Sequence, residues 1–426
     1  MFAVPARRTC TALAAAAVLG TVLAPTAFAD ASPSPKAPAK LPAGLYGTLD
    51  PQYDGVWRQS LALLAQDTVG VTPAKKSVDW LAGQQCDDGA FPSFRAGAGK
   101  PCDAKIKKDT NQTAAAAQSL AALGGHSDAV RKAVTWLKSV QNDDGGWPSM
   151  PGGPSDANST SLVLGTLDAT GGDPEKVTSK KGAKNGYDAL LAFRLGCDAK
   201  KGERGAFAFQ PDKAGKLAAN DDATGSAALG GLGQGFVVEP LEKDDDKAVT
   251  PLDCAPGGKK PAGDSEDAAE AAADAAAAYL SGVLGANGQH LKSAMPGAKD
   301  QPDVGNTADA ILALAAGEHR DALAKPLAWL KKNSAVWAKQ SGPAAYAQLV
   351  LTTHAAGGDP RDFGGADLVK QLNATGPKPA ATEAPGKNDE KDDDGVGSDV
   401  WWYVGAFLVA GIGIGFLLSG RKKKLS

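Results

Sequence analysis

The sequence predicts an all-α fold, an α/α toroid of about six helical hairpins, with a signal peptide, a C-terminal stalk and one transmembrane helix. Three observations predict it. A loop motif occurs twice behind amphipathic helices, a series of short Ala-rich segments each opens on Asp or Ser, and apolar runs mark both chain ends.

Residues 1–29 read as a secretory signal: Arg7 and Arg8 form the charged start, "TALAAAAVLGTVLA" the apolar run, and "AFA" a small-residue cleavage site. Residues 30–40 read as a disordered linker and 41–375 as the folded body, long enough for a large core. The Pro-, Ala- and acid-rich residues 376–399 read as a solvated stalk. Residues 400–418 are uncharged and open on Trp401, Trp402 and Tyr403, as a membrane span does, and the basic tail 419–426 stays cytoplasmic by the positive-inside rule. The expected location is a cell membrane with an extracellular body, on a Gram-positive bacterial surface given the heavy Ala and Gly usage.

Of the 45 basic residues, removing Arg7, Arg8 and the four in the tail leaves 39 against 48 acids, so the exported part carries about −9. An acidic surface argues against a nucleic-acid partner. Cys10 leaves with the signal, and the even remainder, Cys86, Cys102, Cys197 and Cys254, favours two disulfides outside the cell. Cys86–Cys102 and Cys197–Cys254 would each close a loop, although three pairings are open. No CxxC or HxxH occurs and the histidines are scattered, so no metal site is expected. The runs "KDDDKAV" and "KNDEKDDDG" lack the spacing of a calcium loop and read as solvated charge.

The repeated loop is "GQQCDDGAFPSF" and "SVQNDDGGWPSM", with Gln85, Asp88, Gly89 and Phe91 answering to Gln141, Asp144, Gly145 and Trp147. The preceding helices are amphipathic, with Val130, Val134 and Leu137 at helical spacing and Trp136 beside them. The Ala-rich segments open at Asp50, Asp109, Asp156, Asp221, Asp303 and Ser341. Asp or Ser there accepts free first-turn N–H groups and suits the positive helix end, while Gly-Gly or Gly-Gly-Asp-Pro stops several of the helices. The result is six pairs, each an amphipathic outer helix and a small-residue inner one.

The pattern Gln141, Asp144, Gly145, Trp147 resembles the QW repeat of squalene-hopene cyclases and the glycine-rich repeats of protein prenyltransferase β-subunits. The Asp-x-x-x-Thr starts of the inner segments are similar to that superfamily and to the helical domain of the cobalamin carriers, intrinsic factor and transcobalamin. The similarity covers roughly residues 41–375. Count and resemblance together imply closure into a ring. The resemblance also implies that the glutamine caps a neighbouring helix with the tryptophan stacked beside it, a staple between repeats. A cyclase reading would rest on Asp221 and Asp222, but Ala219 stands where the first acid of the Asp-x-Asp-Asp proton donor belongs, and aromatics make up only 6% of the chain. A prenyltransferase zinc site has no pattern here.

The function expected is therefore non-catalytic: binding of a small molecule or a partner. In a closed ring the inner helix starts gather at one rim, carrying Asp109, Asn111, Thr113, Asp156, Asn158, Thr160, Asp222, Asp303, Asn306 and Thr307. Read singly, each Asp is a cap. Read together, the ring is a donor-rich mouth for an amide- or phosphate-bearing ligand. Trp57 and Tyr346, on the first and last inner helices, are stacking partners or core residues. No cofactor is expected, with a corrinoid entering only as ligand by resemblance to the cobalamin carriers. Those carriers close their ligand under a second domain, which here a membrane transporter or another surface protein would supply. A monomer is expected. The alternatives are a terpene-cyclase or prenyltransferase-like enzyme and a structural surface repeat protein.

Overall fold

The computed structural model describes residues 41–255, 264–293 and 300–382. The expected signal peptide, linker, transmembrane helix and tail, and most of the expected stalk, lie outside these residues. Among the described residues no helix is long and apolar enough to cross a membrane.

The helices are α1 (Gly55–Thr68), α2 (Lys75–Gly83), α3 (Thr110–Leu123), α4 (Ser127–Ser139), α5 (Ala157–Ala169), α6 (Gly186–Ala192), α7 (Asp221–Gly231), α8 (Ser265–Ala286), α9 (Val304–Ala316), α10 (Arg320–Asn333), α11 (Ala335–Ser341), α12 (Pro343–Ala355) and α13 (Leu368–Asn373). Two-residue strands β1 (Val71–Thr72), β2 (Leu291–Lys292), β3 (Pro302–Asp303) and β4 (Ala381–Thr382) pair as β1–β4 and β2–β3, both antiparallel.

Six helices form a closed inner ring: α1 packs on α3, α3 on α5, α5 on α7, α7 on α9, α9 on α12, and α12 back on α1. Each is followed by an outer partner, α2, α4, α6, α8, α10 and α13 in turn. All six inner helices run the same way, so their N-termini share one end of the ring, the mouth, and their C-termini the other, the base.

Small side chains make the close approach possible. In α3 the run Ala114–Ala117 is buried, and α9 buries Ala308, Ala310 and Ala313. The outer helices are amphipathic as expected, with one exception. Helix α8 is Ala-rich like an inner helix, yet it lies outside, against α7. It turns Ala269, Ala272, Ala273, Ala276, Leu280 and Leu284 inward at helical spacing and leaves Glu270 exposed. Helix α11 is an extra short turn between α10 and α12 that the hairpin count does not contain.

The repeated loop is a staple, in more detail than expected. Gln85 donates from Nε2 to the carbonyls of Gly89 (3.0 Å) and Ala129 (2.8 Å), the latter in the first turn of α4. Gln141 repeats this with Gly145 (2.8 Å) and Val177 (3.1 Å), just ahead of α6. The amide therefore holds carbonyls of the next hairpin rather than its free N–H groups. Asp88 and Asp144 accept from the N–H of Ala90 and Gly146, folding the turn on itself. Gly145 has φ +90°, and a Cβ there would lie 2.2 Å from the Asn185 carbonyl oxygen. The loop backbone thus touches the next outer helix's N-cap, which only glycine permits. The Gln141→Ala variant is expected to lose about 1 kcal/mol of stability, read as a lower urea midpoint at unchanged m-value.

Two disulfides select one of the three pairings. Cys86–Cys102 closes the loop between α2 and α3, and Cys197–Cys254 joins the loop after α6 to the segment ahead of α8.

Candidate functional site

The mouth is built by one device used repeatedly. The capping side chains Asp109, Asp156, Asn220 and Asp303 accept from the N–H three residues on, Gln112, Ser159, Ala223 and Asn306, at 2.7–3.0 Å. Four residues after each cap stands a threonine. The hydroxyls of Thr113, Thr160, Thr224 and Thr307 accept the backbone N–H of Phe91, Trp147, Phe207 and Leu291 at 2.8–3.0 Å. The same loops then reach over the preceding hairpin. The carbonyls of Ser93, Ser149 and Phe209 accept the N–H of Val56, Thr110 and Ala157, at the starts of α1, α3 and α5.

This accounting changes the expected chemistry of the rim. The N–H groups of Gln112, Ser159, Ala223 and Asn306 are bonded to caps of their own helix, and those of Val56, Thr110 and Ala157 to carbonyls of the next loop, so these are not free donors at the mouth. Thr113, Thr160 and Thr307 are fully buried in this scaffold, as is Asp156. They hold the rim together and do not line its opening.

On α5, α7, α9 and α12 the centre is lined by the second residue of the helix and the residue four further on, since positions i and i+4 share a face; α3 contributes its second residue alone, and α1 its third residue and the one four beyond. Asn111 on α3, Asn158 on α5 and Asp222 on α7 hold the second position. On α9 that position is Gly305, and the residue four on, Asp309, reaches the centre in its place; on α12 the same step leads from Ala344 to Gln348. These residues, with Trp57, Leu61, Asn306, Leu312 and Leu351, wall a central cavity of about 410 Å³. Trp337 of α11 also lines it, as does the segment Gln234–Phe236, which turns inward after α7. Gln118 fixes that segment by accepting the Phe236 N–H at 2.9 Å while donating to Thr166, and Phe236 meets Trp57 edge to face at 5.5 Å.

The polar groups form an arc. Asn158 donates from Nδ2 to Asp222 (2.8 Å), and Gln348 donates from Nε2 to Asp309 (2.5 Å) and to the Gly305 carbonyl (3.0 Å). Among the described residues no lysine, arginine or histidine lines the cavity. Asp309 is half-buried by exposure, but the surface it keeps faces the cavity, and it is otherwise walled by protein. Desolvation, with Asp222 and Asp303 nearby, pushes its carboxyl up to about 7, against a lowering by Gln348. The Asp222 carboxyl is raised by burial as well, opposed by its bond from Asn158 and reinforced by Asp303.

The Asp221-Asp222 pair does not act as a pair. Asp221 accepts from the Tyr279 hydroxyl of α8 at 2.7 Å, on the outer side, while Asp222 alone faces the cavity. Asn220, in the quartet's second place, caps α7. Asp303 caps α9 and takes the Asn306 amide at 3.0 Å. Trp57 stands in the cavity wall, whereas Tyr346 sits in a separate groove between α1 and α12. Away from the cavity, at the base, the carboxylates of Glu175, Asp264 and Glu266 lie close enough to share a cation.

No family model matches the sequence and no curated protein is similar to it. Solved structures are similar in fold. The ent-copalyl diphosphate synthase from Streptomyces platensis matches with a TM-score of 0.41 and 16% identity, over 73% of this chain and 50% of that one, so the chain spans half the length of that synthase. The type II terpene cyclase MstE from Scytonema gives a TM-score of 0.29 and 17% identity over 68% and 81% of the two chains. A protein from Actinoplanes gives 0.29 and 17% over 64% and 81%. Terpene cyclases are thus among the structural neighbours, at the level of a helical fold, and the closure of the ring stands on the chain's own helix contacts.

Proposed function

We propose that the protein captures a small molecule in the central cavity of its ring and does not convert it. The observation that supports this reading most is the fate of the Ala219–Asp222 quartet. Its members are divided between a cap (Asn220), an outward bond (Asp221) and the cavity (Asp222), so no preformed row of acids serves a reaction. The cavity itself has the size and the mixed apolar and polar wall of a binding site.

In this reading the apolar residues 400–418 anchor the body at the cell surface, and a transporter or second surface protein receives the cargo. The most specific version is a corrinoid. A corrinoid is larger than a cavity of about 410 Å³, so it would rest on the mouth and send amide arms inward, whose N–H groups suit Asp222 and Asp309. Titration calorimetry on the full chain in lipid nanodiscs, with cobalamin, cobinamide and a squalene-like lipid as control, tests this. Corrinoid binding at about micromolar or tighter is the expected result. Heat from the lipid alone would move the reading toward terpenoids, and no heat from any corrinoid removes that version.

A second reading, a proton-initiated cyclase, is favoured by Asp309 alone. A carboxyl held up to about 7 in a cavity that Trp57, Phe236 and Trp337 also line is poised to keep its proton near neutral pH. Incubation with a linear polyprene and product analysis decides it, a cyclised product being the outcome that would displace capture.

A further inference from the structure

Resting on the capture reading, we infer that the cavity selects a ligand bearing a protonated amine, with the ammonium on the Asp222–Asp309 arc and an apolar body against the aromatic wall. Two carboxyl groups share one cavity, and their side-chain partners, Asn158 and Gln348, are neutral amides. Among the described residues no cationic side chain lines the space. A buried carboxylate without a counter-charge is costly, and a ligand cation would supply the missing partner.

Opposite the arc, Trp57 and Phe236 present an edge-to-face pair, with Trp337 also in the wall. Aromatic faces attract cations and accept apolar bodies, so both halves of such a ligand find a matching surface. An anion, by contrast, would meet two carboxyls and no cation.

The test uses matched probes on the full chain in zwitterionic nanodiscs, with empty nanodiscs subtracted: phenethylamine, 2-phenylethanol and phenylacetate, and the corresponding cyclohexylmethyl series. The amine is expected to bind about tenfold or more tightly than the alcohol, a charge-assisted hydrogen bond being the difference, and the carboxylate not to bind. The isosteric Asp222→Asn and Asp309→Asn variants, checked for native circular dichroism, are each expected to erase most of that preference. Amine affinity is also expected to rise several-fold from pH 6 to 8 as Asp309 ionises, the other titratable groups facing it being Asp222 and Asp303. Equal or tighter binding of the alcohol or the carboxylate overturns the amine assignment and leaves capture standing. Failure of both amines to bind also overturns it, and the corrinoid titration then judges capture separately.

Discussion

Trp147→Ala is expected to lower the stability of the body by about 3–5 kcal/mol, the usual range for emptying a buried tryptophan site. Trp147 is fully buried in a cluster with Ala90, Ala114, Trp136, Leu137, Val163 and Leu167, drawn from two successive hairpins. Its indole Nε1–H donates to the Leu137 carbonyl at 2.8 Å, closing the C-terminal end of α4. Its own N–H goes to Thr160, and its carbonyl accepts from Asp156. The backbone bonds survive the substitution, whereas the ring contacts and the indole bond do not. Trp147→Phe keeps most of the volume and is expected to lose only ~1–2 kcal/mol, chiefly the indole hydrogen bond, the Leu137 carbonyl keeping the Val140 N–H as its donor. Urea unfolding of both variants checks this. Nearly equal losses would mean that the hydrogen bond, not the packing, holds the hairpins together.

The second large effect has the opposite sign. Asp309→Asn is expected to stabilise the unliganded chain at pH 8, on the order of 2 kcal/mol. That is well under the ~4 kcal/mol that the whole displacement of the carboxyl's pKa would convert to, because water in the cavity screens part of it. The folded state holds this proton up to about pH 7, whereas the unfolded state releases it in the ordinary carboxylate range. Between those values the folded state binds more protons, so the contribution of Asp309 to stability falls as pH rises, and it levels off above about 7. The asparagine variant should therefore flatten the stability profile between pH 4 and 7. An unchanged profile would show that the carboxyl is better solvated than its surroundings imply. Stability gained together with loss of amine binding would mark Asp309 as a residue kept for function at a cost in folding.

Much of the fold was legible because its determinants are local. The caps at Asp109, Asp156 and Asp303, and the small residues behind them, mark inner helices without knowledge of any neighbour. Helix α8 was not legible, because an Ala-rich run with acids on one side suits either position, and only packing on α7 decides. Asn111, Asn158 and Asp222 were singled out among the rim residues, and they do line the cavity. Asp309 and Gln348 were missed, although the signal existed: each stands four residues beyond a second-position residue and so shares its face. Phe236 and Trp337 had no local signal, since an inward turn and an extra helix bring them in. Three N–H groups of the rim, those of Val56, Thr110 and Ala157, are taken up for the same reason: the carbonyls of Ser93, Ser149 and Phe209 that accept them come from loops that no local pattern places there.

The small β1–β4 ladder has a consequence for orientation. Because β1 follows α1, Ala381 and Thr382 leave the ring at its base, at the end opposite the opening. In the proposed anchored form that end would face the membrane, and the molecule would be a cup on a stem that fills from the outside and must tip to deliver its contents below.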